Sequence, residues 1–211
     1  MDFKENYSSN YGSTTSSFYY YHSGDSTAAN FTKGHYVIAK AANSQYMAEL
    51  ILTPNNSNFY GLMLHVTNIS SKKTGTFVFG EKGAYSSSYN YCYLYDMGLT
   101  PQNTKGSIIL TDKGIHLLFF FSYNSKTYVG NWSLSDMSSY INNSYSTFYL
   151  SSSTTLSVKA GELNSVSTFT PSANASTYLR FLDDSTIFIY GTLSGKTAGW
   201  YILRWGTPMG L

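Results

Sequence analysis

The sequence predicts an all-β protein: an antiparallel β-sandwich or jelly-roll-like domain behind a low-complexity N-terminal tail. Three observations carry this reading. Short runs rich in β-branched and aromatic residues recur along the chain, with polar turns between them. The prolines Pro54, Pro101, Pro171 and Pro208 fall between or after those runs, where a missing N–H costs no ladder bond. Helix signals are scarce: only Ser135 to Asn143 suits a short turn or helix, and no longer window repeats every 3.6 residues.

In chain order, residues 1–34 hold mostly Ser, Tyr, Asn, Gly and Thr with almost no aliphatic side chain, so they supply little core. They read as a tether or attachment segment that orders on contact, with Phe18, Tyr19, Tyr20 and Tyr21 as its assembly contacts. Residues 35–211 form the β domain, and an internal boundary, if there is one, falls near 151–177. Strands are expected at 35–40, 46–53, 59–67, 75–79, 89–95, 106–111, 115–122, 126–134, 145–150, 154–159, 178–182, 186–192 and 197–205. Asp112-Lys113-Gly114 and Leu193-Ser194-Gly195-Lys196 each join two such runs and read as tight hairpins.

Two runs are apolar on both faces. Ile115, Leu117, Phe119 and Phe121 alternate with His116, Leu118 and Phe120. Near the C-terminus, Trp200 and Ile202 oppose Tyr201, Leu203 and Trp205. Alternate residues of a strand point to opposite sides, so such strands need two covers. A single sandwich offers one inner face per strand. The second cover is therefore expected from loops, a small helix or another subunit, and Trp205 is a candidate assembly contact. Trp200 and Trp205 cannot share one ligand site on that strand.

Tyr89, Tyr91, Tyr93 and Tyr95 occupy every second position of one run and would line one side of a strand. A row of rings with hydroxyl tips suits a half-wet surface holding a flat ligand or another protein. Trp132, near a strand end and followed by Ser133, is the candidate platform for stacking a sugar ring, with the tyrosine row beside it as a second ligand surface.

Composition narrows the function classes. Charged residues make up 11% of the 211, against roughly 25% in ordinary domains, so polarity comes from hydroxyls and amides. A surface poor in ions resists self-association weakly, which suits a molecule made to sit in an assembly. Net charge is +2, the only arginines are Arg180 and Arg204, and no basic run exceeds Lys72-Lys73, which argues against nucleic acid as a partner. The single cysteine, Cys92, excludes an intrachain disulfide and reads as a small strand hydrophobe. No apolar stretch is long enough to insert in a membrane, and the start Met-Asp-Phe-Lys-Glu-Asn lacks the basic and apolar regions of a signal peptide.

No catalytic or metal-ligating motif is present. His22, His35, His65 and His116 have no ligand spacing, Gly-x-Ser-x-Gly is absent, and no phosphate-binding loop appears. His65 and His116 read as sheet histidines. Asp183-Asp184, the only adjacent carboxylates, read as an Asx turn. No cofactor or metal is expected.

In composition the chain resembles the β-rich virion proteins of tailed bacteriophages: fibres, baseplate parts and decoration proteins. The shared traits are a Met start without a signal, no disulfides, a neutral polar surface, abundant tyrosine and strands that need partners. The resemblance implies a non-enzymatic structural or host-recognition component of a virus particle. Such a component would be made in the host cytoplasm, form a homo-oligomer such as a trimer, and contact other virion proteins. The alternative is a lectin-like module that binds cell-surface glycan by aromatic stacking. A glycan-cleaving enzyme is the third reading, and it requires a carboxylate pair about 5 to 10 Å apart.

Overall fold

The structure, a computed structural model, describes residues 36–54, 60–81, 98–150, 153–160 and 166–205. Their thirteen strands are β1 (Tyr36–Ala42), β2 (Tyr46–Pro54), β3 (Tyr60–Asn68), β4 (Thr74–Glu81), β5 (Thr104–Leu110), β6 (Ile115–Tyr123) and β7 (Lys126–Leu134), then β8 (Ser144–Leu150), β9 (Leu156–Ala160), β10 (Val166–Pro171), β11 (Arg180–Asp183), β12 (Thr186–Leu193) and β13 (Ala198–Arg204). The all-β class is as expected. Pairing is antiparallel except where β8 returns parallel to β4. The expected run at 89–95, with Tyr89, Tyr91, Tyr93, Tyr95 and Cys92, and the assembly contacts Phe18 to Tyr21 lie outside the described residues.

Three sheets form. The first is ordered β1-β2-β3-β4-β8, the second β5-β6-β7, and the third β10-β9-β13-β12-β11. The third also pairs β10 with β12, so β9, β10, β12 and β13 close a ring. The first and second sheets pack face to face, with β1 running beside β5 at one margin. Leu50, Leu62, Leu64, Phe77 and Phe79 meet Leu117, Phe119 and Phe121 between them.

β6 is the hinge of the architecture. Ile115, Leu117, Phe119 and Phe121 face the first core, while Leu118 and Phe120 face a second core built with Phe169, Ile187, Ile189, Leu203 and Trp205. All residues of β6 but the last are buried. The two-sided burial expected of β6 is present, and its second cover comes from the same chain, in part from the 3₁₀ turn Ala175–Thr177. The chain supplies a third sheet, so β6 becomes the middle of three layers.

The same finding corrects Trp205 as an assembly contact. It is 1% exposed and belongs to the second core, because the odd positions of β13 point into the ring. Its indole Nε1 has no hydrogen-bond partner among the described residues, a cost accepted for filling that volume with a large ring.

Close packing also explains Gly130. It sits opposite Phe119 across β6–β7, and a Cβ there would lie 2.1 Å from the phenyl ring. Polar ties seat the third sheet on the second. Ser122 Oγ meets Ser176 Oγ at 2.6 Å, and Thr127 Oγ1 donates to the Ser172 carbonyl at 2.7 Å while accepting the Ala175 N–H at 2.8 Å. Ser176 and Ala175 belong to a single 3₁₀ turn, Ala175–Thr177. Ser107 Oγ donates to the Asp184 carbonyl at 2.8 Å.

No strand is expected between 159 and 178, whereas β10 and the 3₁₀ turn lie there, with Pro171 closing β10 opposite Gly191. Both expected hairpins form, the second with Gly195 at φ +75°. Ser135 to Asn143 contains turns, not a helix.

Candidate functional site

The outer face of the third sheet carries Trp200, the most exposed aromatic of the described residues, ahead of Tyr36 on β1. Even positions of β12 and β13 point away from the ring, and register sets Tyr190 beside Trp200 and Phe188 beside Ile202. β11 adds Arg180 to the Phe188 row. Trp200 is 52% exposed and Ile202 58%, although odd neighbours such as Leu203 and Ile189 are fully buried. Leu182, at a register shift in β11, is 57% exposed.

Trp200 is held by other rings. Its indole stacks on Phe188 at 4.7 Å and 12°, and Tyr190 and Tyr178 meet it near-perpendicularly at 5.4 and 5.6 Å. Offset stacks and edge contacts of this kind fix ring orientation. The indole is therefore preorganised while half its surface stays open. Tyr178 is itself tethered, its hydroxyl meeting Ser172 Oγ.

Both arginines of the chain lie on this face. Arg180 Nη1 donates to the carbonyls of Leu179 and Tyr178, at 2.9 and 3.2 Å, which orients the guanidinium without neutralising it. Arg204 is exposed at the end of β13, and its guanidinium has no ion-pair partner among the described residues. Nearby, burial and then the Arg180 charge hold the Lys105 ammonium below its ordinary pKa. Asp183 is occupied within its turn, accepting the Ser185 N–H at 2.8 Å and its hydroxyl at 3.0 Å. That is the expected Asx turn. The Ser185 N–H, followed by the Thr186 hydroxyl, holds the Asp183 carboxyl below its usual range.

Trp132 lies elsewhere. It is half-buried on β7, with its ring 5.1 Å from Phe79 and 5.6 Å from Phe77 at the margin of the first core. It is therefore not brought together with Trp200. The sequence places Trp200 with Ile202 on one side of its strand, opposite Trp205, without showing which side is open. The signal that distinguishes it is paired alternation: Phe188 and Tyr190 on β12 share parity with Trp200 and Ile202 across the Leu193–Lys196 hairpin.

The other concentration of titratable groups crosses the first sheet, where register aligns Lys40, Glu49, His65 and Thr76. Glu49 and His65 are buried. His65 Nδ1 lies 3.3 Å from Thr76 Oγ1, and burial pushes its pKa down to about 3, so the ring is neutral at ordinary pH. His116, on the β6 face shared with Leu118, is also lowered by burial. Among the described residues, no group of three or more His, Cys, Asp or Glu is placed to hold a metal ion. No described helix is long and apolar enough to cross a membrane.

Comparison with family models, with curated proteins and with solved structures gives no match.

Proposed function

We propose that this chain is a non-enzymatic structural or host-recognition subunit of a virus particle, of the bacteriophage fibre, baseplate or decoration kind. It meets its partner through the outer face of β12 and β13. One observation carries the reading. A fold that covers both sides of β6 with its own sheets nevertheless leaves Trp200 and Ile202, two residues apart on one side of β13, more than half exposed. Contiguous apolar exposure bordered by polar residues marks interaction surfaces. The low charge of the chain supports a place within an assembly.

The role needs binding and no bond-breaking. The partner is a cell-surface molecule, a neighbouring virion protein or another copy in a homo-oligomer such as a trimer. Native mass spectrometry and binding to intact host cells or particles test it, comparing wild type with Trp200→Ala and Ile202→Ser. The expected result is wild-type association or adhesion that both substitutions weaken. A chain that stays monomeric at high concentration and adheres to no cell or particle overturns the reading.

A further inference from the structure

We infer that the outer face of β13 binds an anionic glycan, with Trp200 stacking a pyranose ring and Arg204 and Arg180 receiving carboxylates on the same or a neighbouring sugar. This rests on the recognition face described above and names its ligand class.

The first argument is geometric. Trp200 and Arg204 are four residues apart on one side of a strand, which places their Cα atoms about 13 Å apart. Ile202 lies between them, exposed, and nothing polar interrupts the track. A short run of linked sugar rings covers that length, with the apolar side of one ring on the indole and the next over Ile202. Arg180 flanks the track one strand beyond Phe188, in the cross-strand row of Ile202.

The second argument is charge complementarity. The chain has two arginines, both are on this face, and neither is neutralised by a carboxylate among the described residues. Guanidinium forks match carboxylates in two parallel hydrogen bonds. Asp183, the nearest acid in register, already accepts two hydrogen bonds in its own turn.

Other occupants fit less well. A second copy brought against this face presents the same two arginines, and the carboxylates it carries there, Asp183 and Asp184, lie at the β11–β12 turn beyond the Trp200–Ile202 rows. Single-stranded nucleic acid needs a basic groove that tracks successive phosphates, and two arginines in a chain of net charge +2 do not form one. Preorganisation of Trp200 by Phe188, Tyr190 and Tyr178 favours a rigid, flat ligand face, because little side-chain freedom is lost on binding.

The test is a glycan array carrying carboxylated, sulfated and neutral oligosaccharides, probed with the full chain, Trp200→Ala, Trp200→Phe and Arg204→Gln. Each variant is first checked for an unchanged thermal midpoint relative to the others, and native mass spectra are recorded in parallel. We expect binding to carboxylated glycans that weakens with added salt. Trp200→Ala should abolish it, Trp200→Phe should retain part of it, and Arg204→Gln should weaken it about tenfold or more. Binding to sulfated or neutral glycans alone overturns the carboxylate assignment while leaving the recognition face intact. Trp200-dependent self-association without glycan binding overturns the glycan but not the face. No Trp200-dependent binding of any kind overturns both.

Discussion

Replacing Phe120 by alanine separates a self-covered fold from one completed by a partner. The ring is fully buried, and it tilts against Phe181 at 6.2 Å beside Leu118, Ile187 and Ile189. A buried aromatic hides roughly 150–250 Å², and at about 25 cal/mol per Å² this corresponds to ~4–6 kcal/mol of transfer free energy. Alanine retains part of that area, and the residual cavity adds a penalty, so the expected loss is about 3–5 kcal/mol. Chemical denaturation followed by tyrosine and tryptophan fluorescence measures it. The cover over Phe120 comes from the same chain, so the loss must be independent of protein concentration. Were the cover a second subunit, each tenfold dilution would shift apparent stability by about 1.4 kcal/mol. A loss below about 1 kcal/mol, or one that grows on dilution, refutes the three-layer reasoning.

Three further outcomes follow from the same structure. Gly130→Ala drives a methyl into the Phe119 ring and should cost at least 1–3 kcal/mol by overpacking; a thermal midpoint within 1 °C of wild type, about half a kcal/mol or less, would contradict the packing. His65 is kept neutral by burial, so the unfolded chain takes up its proton first as pH drops below 6.5, and this contribution to stability is lost progressively down to about pH 3. Between pH 7 and pH 5 the loss is about 2 kcal/mol, measurable as a pH-dependent denaturation midpoint that His65→Gln flattens; an unchanged slope in the variant would contradict it. Thr127→Val removes a hydroxyl that bonds both the Ser172 carbonyl and the Ala175 N–H, and should cost about 1–3 kcal/mol by leaving buried groups unsatisfied. Hydrogen exchange should then rise first at Ala175 to Leu179, and uniform loosening of all three sheets would count against a local tie.

Much of the fold was legible because strand alternation is written residue by residue. The double-sided pattern of 115–121 announced a strand buried twice, and Pro, Gly and Asp marked most turns. The third layer was not legible, since periodicity says that a face is covered and not by what. β10 escaped because Val166-Ser167-Thr168-Phe169-Thr170-Pro171 contains few apolar residues and ends on proline. Phe169, fully buried in the second core, and the buried Pro171 carry its inward face.

The site was less legible still. Trp132 and Trp200 both stand on strands with polar neighbours, and sequence alone does not reveal which has rings packed over it. Trp132 meets Phe79 and Phe77 from the opposite sheet, whereas Trp200 meets rings of its own outer face. Trp205 is buried for the parity reason that exposes Trp200. Its role follows once the inner face of β13 is known, and the inner face is set by which side the ring closes.

Hydroxyl-radical footprinting read by mass spectrometry tests the recognition face most directly, because it labels side chains according to exposure. In the isolated chain Trp200 should label strongly, Trp132 weakly and Trp205 hardly at all. After incubation with host cells or the intact particle, protection should concentrate on Trp200, Tyr190 and Ile202. Protection centred on Trp132 or the first sheet, with Trp200 still fully labelled, would contradict the account.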